Sequence, residues 1–247
     1  MTILKNKEEI RKIRNAGRII REIFLAIKPL IKEGISTADL DGIVERLILE
    51  KGGRPAFKGY RGFPASICAS VNDVVVHGIP SEDTVLSDGD IISVDVGVEK
   101  DGYFADAART FPVGRVDGEA ARLIEVTERC LSEAIVKAKA GGRLSDISHV
   151  VETIAADEGF KEVRAFVGHG IGKELHESPE VPNWGAPGKG PVLKEGLVLA
   201  IEPMINGGTR DIEIRSDGWT AVTKDGRLSA HFEDTVIIGK EKAEIIT

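Results

Sequence analysis

The stretch "AFVGHGIGKELHESP", residues 165–179, holds two of the chain's five histidines. His169 stands between Gly168 and Gly170, and His176 opens the pair His176-Glu177. The spacing from 169 to 176 is not that of HExxH, whose histidines share one helix face at i and i+4. Glycines at 168, 170 and 172 also argue against a helix. In a loop or at a strand end, a glycine-flanked imidazole can approach an ion closely. Four acids are the other candidates: Asp95 and Asp106 in "SVDVGVEKDGYFADAA", Glu202 in "VLAIEPMI" and Glu233 in "SAHFEDTVII". Each is isolated on an otherwise apolar strand pattern, where a bare carboxylate resists ionisation. One neutral imidazole with four carboxylates makes an oxygen-rich set. It suits two divalent cations of manganese, iron or cobalt type, with zinc compatible. Two such ions would offset the four negative charges and lower the pKa of a water held between them.

The stretch 93–108 reads as a hairpin turning at Lys100-Asp101-Gly102. A two-residue loop at Lys100-Asp101 sets Asp95 opposite Asp106. A loop at Asp101-Gly102 sets Gly97 opposite Asp106, one diagonal from Asp95. Either register puts both carboxylates on one face, because side chains alternate with period two. The plainer alternative is a buried Asp95 paired with Arg109 or a backbone amide. His231 shares the parity of Glu233, which leaves it either behind the acids or in ordinary packing. His77 ends the apolar run "VNDVVVHGIP", and alone it reads more readily as a surface residue than as a functional one. His149 falls in a helical pattern and reads as structural.

The elements that must position these residues come in the order helices, strands, helices, strands. Ile10, Ile13, Gly17, Ile20, Phe24 and Ile27 recur at spacings of three and four, the mark of an amphipathic helix. A second helix starts near Thr37, taken as its N-cap, with Leu40, Val44, Leu47 and Ile48 inward. Short β-branched runs fill 65–113, helical patterns return at 118–140 and 145–158, and strands return from 163. "LSDGDIISVD" from position 86 resembles "LKEGLVLAIE" from position 193, an offset of 107. The same offset relates Gly34 to Gly141, Asp39 to Asp146, Val44 to Val151, Gly52 to Gly159 and Asp95 to Glu202. One shift matching both a helix and a strand implies an internal duplication. We expect a single domain over 1–247, with α+β halves of approximately 1–113 and 114–247 about a pseudo-twofold axis. A site between the halves would gather acids from both.

The totals narrow the function classes. The formal net charge is −7 over 247 residues and the pI about 5.4, so a broad nucleic-acid surface is not expected. The one basic cluster, Lys5, Lys7, Arg11, Lys12, Arg14, Arg18 and Arg21, reads chiefly as a solvated helix face. Two cysteines without a CxxC suggest neither a disulfide framework nor a zinc ribbon. No apolar run nears the ~20 residues of a membrane span, and the start "MTILKNKEEI" lacks the form of a signal peptide.

Together, "GYRGFPASICASVNDVVVHGIP", "DGDIISVDVGVEKDGYFADAARTF", "GHGIGKELHESP", "IEPMI" and "DGRLSAHFEDT" resemble the type I methionine aminopeptidases of short bacterial form over nearly the whole chain. The resemblance implies the pita-bread α/β (α+β) fold, two pseudo-twofold-related halves around a curved antiparallel sheet. It implies two divalent metal ions (cobalt, manganese or iron, with zinc or nickel accepted). Asp95 would chelate the first, His169 and Glu202 would hold the second, and Asp106 and Glu233 would bridge both. Glu202 would shuttle the proton, and His77 and His176 would contact the peptide bond and stabilise the tetrahedral intermediate. Tyr60, Phe63, Cys68, Leu175 and Trp219 match the methionine pocket. Phe57, often cysteine in bacterial relatives, and Leu175, often phenylalanine, depart from the pattern and bear on pocket shape. Asn72, Val74 and Ser229 match a site for one sodium or potassium ion built from main-chain oxygens.

The resemblance also implies a cytoplasmic monomer acting on nascent polypeptide N-termini that carry a small second residue. A transient ribosome contact through the basic helix goes with that, and neither DNA nor membrane is a partner. Met1-Thr2 would itself qualify for slow or partial removal of Met1. No zinc-binding extension precedes the catalytic region, and there is no room for the helical insertion of type II enzymes. Two rivals remain: a proline-directed peptidase of the same fold, whose members usually carry a further N-terminal domain, and a non-enzymatic binding protein that has lost the ligands.

Overall fold

The computed structural model describes residues 4–247. Helix α1 spans Lys7–Ile27, capped by Asn6, whose side chain accepts from the amides of Glu8 and Glu9 while Glu9 reaches back to the cap. Ile13, Gly17, Ile20 and Ile27 are buried as the spacing predicts, and Ile10 and Phe24 are half-buried at the margin. Helix α2 spans Thr37–Glu50. Its N-cap is Ser36, one residue before the expected Thr37. Ser36 and Asp39 form the reciprocal capping box, so Thr37 is the first helical residue. Helices α3 (Gly118–Lys137) and α4 (Leu144–Asp157) lie close to the predicted ranges.

Most strands join one nine-stranded antiparallel sheet. Its order runs Arg54–Pro55, Ile91–Lys100, Tyr103–Pro112, Glu233–Ile237, Val198–Ile201, Gly168–Gly170, Glu177–Val181. Ile67–Val71 adds to Ile91–Lys100, and Glu244–Ile245 to Glu233–Ile237. The strands Tyr103–Pro112 and Glu233–Ile237 pair at the centre, with Glu233 opposite Ala108. The first half therefore meets the second where Asp106 and Glu233 sit. Two apolar clusters back the sheet, one chiefly with α1 and α2, the other with α3 and α4. Among the described residues, no helix is long and apolar enough to cross a membrane.

The offset of 107 recurs in the backbone. Helices α2 and α4 begin at 37 and 144 and end at 50 and 157. Gly34 and Gly141 both hold left-handed φ, 89° and 88°. The Gly34 amide donates to Leu86 O and the Gly141 amide to Leu193 O, at 2.8 and 3.0 Å. Isolated bridges join Ser36 to Val85 and Arg143 to Val192. The second half departs at its end, where the hairpin of Ile212–Ile214 and Ala221–Thr223 intervenes before Glu233. That hairpin carries Trp219 and pairs with Val74–Val76, the strand leading to His77.

Four local readings change. The Glu202 strand stops at Ile201, and after Pro203 the chain enters a separate three-stranded sheet at Met204–Asn206. The His231–Glu233 run is likewise broken at Phe232 between two sheets. His149 is exposed on α4 rather than structural. The basic cluster departs from a solvated helix face at Lys5, which is buried against Glu177, while Arg11 pairs with Glu8 and Arg14 with Glu244 on the exposed face. Met1 and Thr2, and with them the self-processing expectation, lie outside the described residues.

Candidate active site

The hairpin turns at Asp101-Gly102, both with left-handed φ. Lys100 faces Tyr103, Gly97 faces Asp106 and Asp95 faces Ala108. This is the second of the two registers, and it sets Asp95 and Asp106 on one face one diagonal apart. Gly97 is glycine for a packing reason: a Cβ there would lie 2.6 Å from the Phe57 ring. Asp95 is not paired with Arg109. The Arg109 guanidinium instead binds the Glu233 carbonyl and the Asp234 carboxylate.

The sheet brings the second half's donors to the same place. Ligand atoms of Asp106, His169 and Glu233 all lie within 4.8 Å of one another, and all three residues are buried. His169 Nδ1 lies 2.9 Å from the Gly170 carbonyl. A carbonyl only accepts, so Nδ1 carries the proton and Nε2 presents its lone pair inward. That lone pair lies 3.7 Å from Glu202 Oε1, and Glu202 Oε2 lies 3.6 Å from His231 Nε2. His231 is thus buried beside the acids.

Burial and mutual charge dominate the electrostatics of the set. Burial, then the Asp106 charge, pushes the Asp95 carboxyl well above its usual range. Burial raises Asp106 to about 7. Glu202 and Glu233 are raised by burial first and by the neighbouring Asp106 second. His169 is driven down to about 3 by burial, so its imidazole is neutral. Asp95 Oδ1, Asp106 Oδ1, Glu233 Oε1 and His231 Nε2 are buried without a hydrogen-bond partner. Buried carboxylate oxygens left unpaired are costly. A divalent cation would satisfy them, and the donor set fits one.

A cavity of about 280 Å³ opens onto these residues. Tyr60, Phe63, Cys68, Leu175 and Trp219 line it, with His77 and His176 on the wall. Phe63 meets Trp219 edge-on at 5.2 Å. His77 holds a left-handed φ of 59° and stands edge-on to Phe166, and burial lowers its pKa to about 4. His176 Nδ1 is 2.9 Å from the Tyr60 hydroxyl, and its ring is 4.2 Å from that of His169. Phe57 also lines the cavity. The sequence reading did not single out Arg61, Val76 or the run Ala165–Val167, which line it too. The hydrophobic run before Gly168 was the one available signal. Of Asn72, Val74 and Ser229, two are joined directly: the Ser229 amide donates to the Asn72 carbonyl at 2.9 Å, and Val74 faces Val222. The Asn72 side chain is bound to Asp90 and to the Ile91 amide.

These features, a buried carboxylate–imidazole cluster at the end of an apolar cavity between two α/β halves, define a metal-dependent hydrolase. The sequence model for metallopeptidase family M24 matches residues 11–240, and the chain belongs to that family. The methionine aminopeptidase of Clostridium acetobutylicum is 51% identical, with 100% of this chain and 99% of the relative covered. Methionine aminopeptidase 1 of Bacillus subtilis is 49% identical at the same coverage. The crystal structure of methionine aminopeptidase from Thermotoga maritima superposes with a TM-score of 0.99 at 42% identity, covering 100% of this chain and 99% of that one. The fold is accordingly the pita-bread fold, and divalent metal ions are the cofactors of the family.

Proposed function

We propose that the chain removes the N-terminal methionine from nascent polypeptides and peptides with a small second residue. The carrying observation is the convergence of Asp95, Asp106, His169, Glu202 and Glu233 at the end of a cavity walled by Tyr60, Phe63, Cys68, Leu175 and Trp219. An apolar cavity of this size accepts one unbranched thioether side chain. The acids line the same cavity, and a free α-amine would bind beside them. Asp95 would hold one divalent ion, His169 and Glu202 a second, with Asp106 and Glu233 shared. When bound, such ions supply Lewis acidity toward the carbonyl and lower the pKa of water. The ion could be cobalt, manganese or iron, with zinc or nickel compatible.

The side chains do the rest. Glu202 takes the proton of the attacking water and returns it to the leaving amine. His77 and His176, both neutral, donate to the peptide bond as charge develops on its oxygen. The duplicated halves form one catalytic domain over 1–247. Carbonyls near Asn72, Val74 and Ser229 would take a sodium or potassium ion. We further propose a cytoplasmic monomer. A ribosome contact would use the unpaired cations of α1, since Lys5, Arg11 and Arg14 are engaged within the chain.

The test is methionine release from Met-Ala-Ser by protein stripped of metal and then given manganese or cobalt, beside Glu202→Ala. Release that depends on metal and falls by about 10² or more in the variant is expected. Preferential cleavage of Ala-Pro peptides would favour the proline-directed rival instead. No release with any metal would leave the binding-protein reading.

A further inference from the structure

Lys5 and Glu177 form an ion pair across the length of the chain, with side chains only 1% and 6% exposed. Buried charges of this kind are costly unless fully matched, so the pair calls for a reason. Glu177 immediately follows His176 and opens the strand that pairs with the His169 strand, Gly170 facing Glu177. Residues 171–176 form the turn between them. The Glu177 carboxylate folds back into that turn. Its Oε1 accepts the amides of Lys173 and Glu174 at 2.8 and 3.2 Å, and its Oε2 accepts from Lys5 Nζ. The carboxylate thus holds the turn from inside, and Lys5 supplies its counter-charge.

Lys5 is itself anchored, because its amide donates to the Gly196 carbonyl at 2.9 Å. Gly172 leaves room for it: a Cβ there would sit 2.8 Å from Lys5 Nζ and 3.1 Å from Glu177 Oε1. The Gly172 carbonyl in turn accepts the Phe104 amide at 2.7 Å, on the Asp106 strand. Without Lys5, Glu177 would keep a buried charge with only two amides as partners. Swinging out to water would release those amides and the turn with them.

We propose that Lys5, acting through Glu177, is a positioning residue that fixes the turn presenting Leu175 and His176 to the substrate. The inference rests on the aminopeptidase reading for the role of His176. The N-terminal segment then belongs to the active site, although Lys5 touches neither metal nor substrate.

Lys5→Met, Lys5→Arg and Glu177→Gln in the manganese-loaded protein test it. Three quantities are measured: kcat and KM for Met-Ala-Ser, manganese affinity by calorimetry, and amide hydrogen exchange. Misplacing His176 by a fraction of an ångström should lower kcat about tenfold or more in Lys5→Met. Manganese affinity should stay within about twofold, because neither Lys5 nor the Glu177 carboxylate is bonded to a proposed donor. The amides of Lys173 and Glu174 should exchange about tenfold faster, with the Asp95–Asp106 hairpin unchanged. Lys5→Arg should restore most of kcat, and Glu177→Gln should loosen the same two amides should Lys5→Met not fold. Wild-type kcat in Lys5→Met, or faster exchange across the whole sheet, would overturn the proposal. Absence of methionine release by the wild type would sink the aminopeptidase reading alone, and exchange at Lys173 and Glu174 would still decide whether Lys5 holds the turn.

Discussion

At the scale of single residues, three of the cavity's four histidines divide by what their rings face. His169 turns Nε2 toward Glu202 and the carboxylates, with Nδ1 tied to the Gly170 carbonyl. His77 stands among Phe166 and Trp219, and His176 against Tyr60. Burial keeps His77 neutral, with a pKa of about 4, and lowers that of His176 as well. Both are therefore hydrogen-bond donors at pH 7 rather than cations. His169→Ala should weaken manganese binding about ten- to a hundredfold. His77→Ala and His176→Ala should leave that affinity within about twofold while lowering kcat by about 10²–10³. Calorimetry with manganese beside Met-Ala-Ser hydrolysis separates the two classes. Parallel loss of metal affinity in His77→Ala would remove it from the donor class.

At the scale of elements, one guanidinium joins the Thr235–Asp106 and Thr110–His231 hydrogen bonds in tying the central strands together. Arg109 on the strand Tyr103–Pro112 binds the Glu233 carbonyl and the Asp234 carboxylate across the junction of the halves. The Thr247 hydroxyl also donates to Asp234 at 3.0 Å, so the chain end backs the same strand. Lysine has no planar fork to span a carbonyl and a carboxylate at once. Arg109→Lys should leave the circular dichroism spectrum intact and lower manganese affinity about tenfold, because Glu233 would lose its fixed position. Unchanged affinity would show that the strand pairing alone holds Glu233. The acids themselves were legible in the sequence because a strand has period two, and an isolated carboxylate in an apolar run is conspicuous. The helices were legible from their spacing, with Ser36 missed as the cap because Thr37 is equally suited by type. The Arg109–Asp234 and Lys5–Glu177 pairs were not legible, nor was Arg61 on the cavity wall. Such partners are brought together by tertiary packing and leave no periodic trace in the chain.

At the scale of the molecule, a fold that packs four carboxylates together without a cation is under electrostatic load, and the load has a pH signature. In the unfolded chain Asp106 would titrate near its ordinary value of 3.8, but in the fold its pKa is about 7. Asp95, Glu202 and Glu233 are raised by the same burial and mutual charge. Between those values the folded state binds more protons than the unfolded state, so stability falls as pH rises. The buried histidines act in the opposite sense. His77, His169 and His231, with folded values of about 4, 3 and 3 against an ordinary value of 6.5, favour the fold increasingly as pH climbs toward 6.5. Above pH 7 these histidines are neutral in both states, and the slope is set by the raised carboxylates together with the Cys68 and Cys130 thiols, which burial also raises. Protein stripped with a chelator should therefore have a lower Tm at pH 8.5 than at pH 7. With saturating manganese the slope should flatten or reverse, because the cation takes the place of the protons and binds better as they leave. Thermal melts of the stripped and loaded forms at each pH read both effects. A stripped protein whose Tm is flat from pH 7 to 8.5 would mean that the carboxylates ionise there without penalty, and that the cluster is held open to water.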